Sequence, residues 1–154
     1  MGYAEVFKDS FAGKTVVVSG GTSGIGLAIA MGFAQCSATV VATGSSRTRV
    51  DAAGRQSSAQ LSFEQLDVTD IAKITARLAA FSRLDVLINC QGVARPDDEW
   101  TEETFLAVMD INLNGAMRMA RAALPHLKQS KGSIVNVASM LSYLADPSVP
   151  AYTA

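Results

Sequence analysis

At 154 residues, with 49% hydrophobic and 18% charged residues, the chain has the length and composition of one globular domain that can bury a core. A formal net charge of −1 and a pI near 5.7 leave no basic surface for displacing counterions from phosphates, which argues against a nucleic-acid partner. No apolar run approaches the roughly 20 residues that a membrane span needs, so no membrane partner is expected.

Short β-branched runs alternate with helical patterns from Thr15 onward. The sequence predicts strands over 15–19, 38–43, 61–66, 85–89 and 134–138. It predicts helices over 24–36, 71–81 and 102–128, and a short helix around 47–54. The first, fourth and fifth strands are continuous apolar runs, which is typical of a parallel sheet covered by helices on both faces. The fold class is therefore α/β, with a doubly wound parallel sheet.

A glycine-rich turn joins the first strand to the first helix. Gly20, Gly24 and Gly26 have the spacing G-x-x-x-G-x-G, and an apolar helix follows them. Glycines let the backbone approach a phosphate closely, and the helix behind them directs free N–H groups toward the ligand. By itself the turn leaves two interpretations open, a nucleotide site and a merely tight strand–helix connection.

The helix over 102–128 has a polar stripe and a wide apolar face. The stripe contains Glu103, Asp110, Asn114, Arg118, Arg121 and Lys128, and opposite it lie Phe105, Val108, Met109, Ala116, Met119, Ala120, Ala123 and Leu127. Leu106, Met117 and Leu124 extend the apolar face to one flank, which predicts packing on the sheet and on a second subunit. Asn112 lies in the apolar face, where we expect the strand beneath to satisfy its amide.

Polar residues follow three of the predicted strands. The turn from Gly20 to Gly26 follows the first strand, Asn89 to Gly92 follow the fourth, and Ser139 follows the fifth. In an open parallel sheet, ligands bind outside the carboxyl ends of the strands, where the strand order reverses. If the first and fourth strands are neighbours, these features line one crevice, which favours dinucleotide binding.

Five motifs, in order, resemble those of the short-chain dehydrogenase/reductase family. Ser19-Gly20-Gly21-Thr22-Ser23-Gly24-Ile25-Gly26 is similar to its cofactor signature, and Asn89-Cys90-Gln91-Gly92 is similar to its Asn-Asn-Ala-Gly motif. Asp67, in Leu66-Asp67-Val68, matches the acidic residue that contacts adenine. Asn112, Ser139 and Tyr152 fall where the family has its catalytic residues. The resemblance extends from Phe11 onward and implies a Rossmann-like fold.

The resemblance implies an NAD(P)-dependent oxidoreductase that interconverts an alcohol and a carbonyl by hydride transfer. Tyr152 would exchange a proton with the substrate oxygen, Ser139 would hydrogen-bond the same oxygen, and Asn112 would anchor a water. The residues expected to bind the cofactor are Gly20, Thr22, Ser23, Gly24, Ile25, Gly26, Gly44, Ser45, Ser46, Arg47, Asp67, Val68, Asn89 and Gly92. No metal site is expected.

The end of the chain departs from the family pattern. The family motif is Tyr-x-x-x-Lys, whereas this chain reads Tyr152-Thr153-Ala154, so the lysine would lie two residues further on. The last two strands of the family's sheet would also lie there. We therefore expect residues 1–154 to be a single dinucleotide-binding domain, incomplete at its C-terminal end and largely inactive alone. The alternative is a catalytically incompetent dinucleotide-binding fragment or regulatory protein.

The choice of cofactor depends on the residue that ends the second strand. A carboxylate there would bind the adenosine 2′-hydroxyl and favour NAD. This chain has Gly44 followed by Ser45, Ser46 and Arg47, a set able to receive a 2′-phosphate. Ser23 argues the other way, because many NADP-using relatives have a basic residue at its position. We expect NADP in preference to NAD.

The remaining features predict cellular location and partners. Cys36 and Cys90 stand in apolar contexts and are expected to be buried free thiols, and the first residues lack a secretory signal. A cytoplasmic location is therefore expected. We expect a small alcohol or carbonyl substrate, whose identity the sequence does not predict, and a homodimer or homotetramer formed through the helix over 102–128.

Overall fold

The computed structural model describes residues 3–154, in which helices alternate with five parallel strands. The strands are β1 (Thr15–Ser19), β2 (Thr39–Gly44), β3 (Leu61–Gln65), β4 (Val86–Asn89) and β5 (Ser133–Asn136). The helices are α1 (Tyr3–Val6), α2 (Gly24–Gln35), α3 (Arg47–Ala53), α4 (Ile71–Ala79), α5 (Glu102–Met109), α6 (Gly115–Ser130) and α7 (Pro150–Thr153). Short 3₁₀ turns occupy Gly54–Gln56 and Met140–Ser142, and a π-helical turn occupies Asp110–Asn114.

The strand order is β3-β2-β1-β4-β5, and every neighbouring pair is parallel. β1 lies between β2 and β4, with Val16 in register with Val40 on one side and Val86 on the other. The order therefore reverses between β1 and β4, the two strands that the predicted crevice requires to be neighbours. The predicted α/β class and Rossmann-like sheet are confirmed.

Helices cover both faces of β1, β2 and β4 and form two apolar cores, whereas all four residues of the edge strand β5 are exposed, contrary to the expectation for its apolar run. On one face Val17, Val41 and Leu87 pack with Ile74 and Leu78 of α4 and with Met119, Ala123 and Leu127 of α6. On the other face Val16, Val18, Val40 and Ile88 pack with Ala30 of α2. Successive residues of a strand point to opposite faces, so a strand buried on both sides reads as an unbroken apolar run.

The predicted helix over 102–128 is helical throughout, but its middle turn is π-helical and its end extends to Ser130. Val108, Met119, Ala123 and Leu127 are buried against the sheet, as the periodicity predicts. Within the polar stripe Arg118 Nη2 donates to Asp110 Oδ1 (2.6 Å), and its Nη1 donates to the carbonyl oxygen of Val68 (3.3 Å). This cluster joins the π-helical turn to the loop after β3.

The outward side of α5, the π-helical turn and α6 has an exposed apolar stripe. It consists of Leu106, Leu113, Met117 and Leu124, whose exposed fractions are 58, 58, 51 and 43%. Three of these are the flanking residues that the helical wheel separated from the sheet-packing face. The stripe therefore leaves an apolar face on the side of these helices that the sheet does not cover.

Two expectations near the strand ends are corrected. β5 ends at Asn136, two residues before the predicted end, so Ser139 lies in the following loop. Cys36 is buried as expected, but Cys90 is only half-buried and lies beside a cavity. No helix within residues 3–154 is long and apolar enough to cross a membrane.

Candidate active site

A cavity of about 800 Å³ opens at the carboxyl ends of the strands, beside the point where the strand order reverses. The glycine-rich turn, the loops after β2, β3 and β4, and the segment after β5 all line it. Its volume is typical of a cofactor or small-molecule site. The three polar features that the sequence predicted to converge therefore share one cavity.

Most of the predicted site residues line this cavity. They are Gly20, Thr22, Ser23, Ile25, Gly26, Gly44, Ser45, Ser46, Asp67, Val68, Gly92, Ser139 and Tyr152. The predicted residues outside its lining are Gly24, Arg47, Asn89 and Asn112. Residues that sequence reasoning did not propose but that line it include Arg49, Gln91 and Ile111.

At Gly20 and Gly26 the glycine-rich turn has no room for a side chain. Gly20 has a φ of +77°, and a Cβ there would lie 2.5 Å from the backbone N of Gln91. A Cβ on Gly26 would overlap the carbonyl oxygen of Gly20. Glycine at both positions therefore lets the loops after β1 and β4 and the first turn of α2 meet in backbone contact beside the cavity.

Five buried polar atoms at this end of the sheet have no hydrogen-bond partner among the described residues. They are Ser19 Oγ, Thr43 Oγ1, Asn89 Oδ1 and both amide atoms of Gln91. Buried polar atoms normally have a hydrogen-bond partner. Of the residues that hold these five atoms, Ser19 and Gln91 line the cavity. Unpaired donors and acceptors around the glycine-rich turn are consistent with a polar ligand at this place.

Hydrogen bonds order the loops after β2 and β3. Gln65 Nε2 donates to the carbonyl oxygen of Ser45 (2.8 Å), and Ser46 Oγ accepts from Arg49 N (3.4 Å) at the start of α3. Asp67 Oδ1 accepts from both the backbone N (2.9 Å) and the hydroxyl (2.8 Å) of Thr69. These contacts use one oxygen of the Asp67 carboxylate and leave the Ser46 hydroxyl hydrogen available for donation.

The structure places Arg49, rather than Arg47, on the cavity. Arg47 Nε pairs with Asp51 Oδ1 (3.0 Å) on the exposed side of α3, beside a separate groove. Arg49 lines the main cavity together with Ser45 and Ser46. Two residues along a helix correspond to a rotation of about 200°, so the phase of α3 decides which arginine faces the cavity. Nothing in the residue order after β2 signals that phase.

The hydrogen-bonding groups of the Asn112 amide pair with a loop. We had expected them to pair with the strand beneath the helix. Its Oδ1 accepts from Val93 N (2.9 Å) and its Nδ2 donates to Val93 O (2.8 Å). Both bonds fix the loop after β4, which forms part of the cavity wall. Asn112 belongs to the π-helical turn, a feature that is frequent at functional sites.

Ser139 and Tyr152 both line the cavity. Ser139 Oγ accepts from Leu141 N (3.2 Å), so its hydroxyl hydrogen remains available for a substrate oxygen. Tyr152 is half-buried in α7, where its backbone N donates to Glu99 Oε2 (2.9 Å).

Cys90 also lines the cavity. Burial raises the pKa of its thiol, which disfavours the thiolate and hence a nucleophilic role.

Comparison with known proteins shows which family the chain belongs to. The short chain dehydrogenase profile matches residues 14–154. The chain is 32% identical over 152 residues to L-fucose dehydrogenase of Bos taurus, covering 94% of this chain and 56% of that protein. It is 32% identical over 164 residues to gluconate 5-dehydrogenase of Gluconobacter oxydans strain 621H, covering 100% of this chain and 63% of that protein.

A solved structure shares the fold. Serine dehydrogenase from Escherichia coli superposes with a TM-score of 0.81 at 28% sequence identity, covering 90% of this chain and 68% of that chain. The chain thus spans little more than half of the bovine protein's length and less than two thirds of the bacterial gluconate dehydrogenase's length. The chain belongs to the short-chain dehydrogenase/reductase family of oxidoreductases, which generally use NAD or NADP.

Proposed function

We propose that the protein is an NAD(P)-dependent oxidoreductase that interconverts an alcohol and a carbonyl. The observation that carries this proposal is a single cavity that joins the glycine-rich turn to Ser139 and Tyr152. The similar proteins are named as dehydrogenases, which supports the same class of reaction.

The residues around the cavity fit a dinucleotide. Glycine at Gly20 and Gly26 lets the loops after β1 and β4 and the start of α2 pack together beside the cavity, where the N–H groups at the start of α2 would bind a pyrophosphate. The unpaired atoms of Ser19 and Gln91 would offer polar contacts. Asp67 would face the adenine from the loop after β3. When bound, the nicotinamide ring supplies or accepts the hydride.

We propose NADP as the preferred cofactor. Gly44 ends β2 where a carboxylate would favour NAD, and no Asp or Glu lies among the residues from Gly44 to Arg49. Ser45, Ser46 and Arg49 line the cavity beside it. We therefore assign the 2′-phosphate contact to Arg49 in place of Arg47, whose guanidinium pairs with an aspartate outside the cavity.

Tyr152 and Ser139 are proposed to act on the substrate oxygen. The Tyr152 phenol would give its proton to this oxygen when the carbonyl is reduced and would take it back when the alcohol is oxidised. Ser139 would donate a hydrogen bond to the same oxygen, because its own oxygen already accepts from Leu141 N. Asn112 would act from outside the cavity, by holding the loop after β4 through Val93.

We also propose that a second copy of the chain covers the apolar stripe of α5 and α6. An exposed stripe of four large apolar side chains on a helix that already packs on the sheet is typical of a subunit interface. The stripe lies on the outward side of these helices, so association there would leave their sheet-packing core undisturbed.

The function is tested with substrates taken from the names of the similar proteins. The protein expressed from its complete gene is purified and incubated with NADP or NAD and with L-fucose, gluconate or serine, and the reduced nicotinamide is followed by its absorbance. Tyr152→Phe should lower kcat by about 100-fold or more while the Kd for the cofactor stays within about 2-fold. Unchanged turnover in Tyr152→Phe would contradict the proposed reaction.

A further inference from the structure

Glu99 is a buried carboxylate that no step of the reaction uses. Its exposed fraction is 0%, although it has a polar side chain and lies in the loop between β4 and α5. A carboxylate removed from water is costly unless hydrogen bonds satisfy its oxygens. Here Oε1 accepts from Arg95 N (2.7 Å) and Oε2 accepts from Tyr152 N (2.9 Å). The side chain therefore joins its own loop to the backbone of Tyr152, 53 positions further along the chain.

Two further hydrogen bonds hold the same two segments together. Asp97 N donates to the carbonyl oxygen of Ser148 (2.8 Å), and Trp100 Nε1 donates to the carbonyl oxygen of Pro147 (2.7 Å). The Trp100 bond lies near the surface, since Trp100 itself is 71% exposed. Glu99 supplies the contact that reaches α7 and Tyr152 directly.

The loop after β4 thus makes hydrogen bonds with both Asn112 and Tyr152. At its beginning, the backbone of Val93 makes two hydrogen bonds with the amide of Asn112. Near its end, Glu99 bonds the backbone of Tyr152. The loop itself forms part of the cavity wall through Val93 and Ala94. A single segment therefore sets the relative positions of the cavity wall, Asn112 and Tyr152.

Only a carboxylate of this length meets both requirements of the position. A carboxylate has two accepting oxygens, and both face backbone N–H donors. Glutamine keeps the length but would turn an NH₂ group toward one of these donors. Aspartate keeps both oxygens but has one methylene fewer to span the gap.

We propose that Glu99 is a positioning residue, which holds the backbone of Tyr152 so that its phenol stays at the cavity that Ser139 also lines. The inference rests on the proposed role of Tyr152 as the proton donor and acceptor. Proton transfer requires a donor within hydrogen-bond reach of the reacting oxygen, and a displacement of about 1 Å costs about 100-fold in rate. Loss of the Glu99 contact with Tyr152 N acts on this geometry.

The test compares Glu99→Gln with a control in the same region. Thr104→Val is the control, because Thr104 is also buried and its hydroxyl donates to Asp98 Oδ2 (3.1 Å). The protein expressed from its complete gene is assayed for kcat, KM, cofactor Kd and melting temperature, with whichever of L-fucose, gluconate or serine it oxidises. Glu99→Gln should lower kcat about 10-fold or more, with KM and cofactor Kd within about 3-fold. Thr104→Val should leave kcat within about 2-fold at a comparable loss of melting temperature.

Equal kcat values in Glu99→Gln and Thr104→Val would overturn the inference, because a merely structural carboxylate would change only the melting temperature. Tyr152→Phe separates this failure from a failure of the proposed function. If Tyr152→Phe keeps full kcat, the proposed function falls and the inference falls with it. If Tyr152→Phe loses kcat and Glu99→Gln does not, only the inference falls. Hydrogen exchange of the Tyr152 amide needs no variant: slow exchange supports the contact, and exchange as fast as in an unfolded peptide overturns it.

Discussion

Replacing Asp85 with asparagine should destabilise the protein without changing the cavity. Asp85 precedes β4 at the amino ends of the strands, whereas the cavity lies at their carboxyl ends. Its carboxylate is 4% exposed and accepts from Arg83 Nη2 (2.6 Å), Thr15 N (3.0 Å) and Lys14 Nζ (3.4 Å). The side chain thereby ties the start of β1 to the start of β4.

The magnitude follows from the pKa of this carboxyl group. The Arg83 guanidinium, helped by Thr15 N–H and Lys14 against the opposing effect of burial, lowers the pKa of Asp85 from 3.8 to about 2. A shift of this size corresponds to about 2 kcal/mol of folding free energy. The Arg83 side chain is half-exposed, and solvent screening reduces the expected value to about 1–2 kcal/mol.

The sign of the pH dependence is fixed by the direction of the shift. Because the folded-state pKa is depressed, the stabilisation is present above the ordinary pKa of 3.8 and is lost as the pH falls toward about 2. Other carboxyl groups with lowered pKa values, such as those of Asp110 and Asp146, are common to both proteins and cancel in the comparison.

Urea unfolding of wild type and Asp85→Asn, repeated at decreasing pH, checks this prediction. At neutral pH the variant should unfold with about 1–2 kcal/mol less free energy, and the difference should shrink below the ordinary pKa. Its Kd for NADPH at neutral pH should stay within about 2-fold of wild type, because the cavity lies at the other end of the sheet. A difference that is independent of pH would refute the ionic origin of the effect.

Two further predictions concern the cofactor and the assembly. Arg49→Ala should weaken NADP binding about 10-fold or more and leave NAD within about 2-fold, because a hydrogen bond to a charged group contributes about 1.5–3 kcal/mol. The matched variant Arg47→Ala should change neither Kd, and equal losses of NADP affinity in both would contradict the assignment. Met117→Glu, in the middle of the apolar stripe, should convert the assembly to monomers in sedimentation velocity at micromolar concentration, and a monomeric wild type would contradict the proposed interface.

Local patterns were sufficient to predict most of the secondary structure. All five strands begin within one residue of the predicted start, because short β-branched runs between glycine and polar turns have few alternatives in a parallel sheet. The prediction of one shared crevice had to assume that β1 and β4 are neighbours, and the structure shows that they are. The convergence of the glycine-rich turn, the β4 loop and Ser139 then follows from the topology of the sheet.

Contacts between distant segments could not be predicted in the same way. The amide of Asn112 pairs with Val93 in a loop, since the π-helical turn and the fold of that loop are tertiary features. Arg49 faces the cavity because of the phase of a short helix, and the residue order does not reveal that phase. Glu99 is fully buried and bonded to the backbone of Tyr152, a contact between distant segments that the residue order does not reveal.

A titration with NADPH tests most directly whether the cavity at the carboxyl end of β1 is a dinucleotide site. The variants are Gly26→Ala, whose Cβ would overlap the carbonyl oxygen of Gly20, and the control Gly54→Ala, whose Cβ meets no atom within 4 Å. Wild type and Gly54→Ala should bind NADPH with equal Kd, while Gly26→Ala should bind at least about 10-fold more weakly at unchanged helical content. Binding of NADPH by Gly26→Ala with the wild-type Kd would contradict the assignment of the glycine-rich turn.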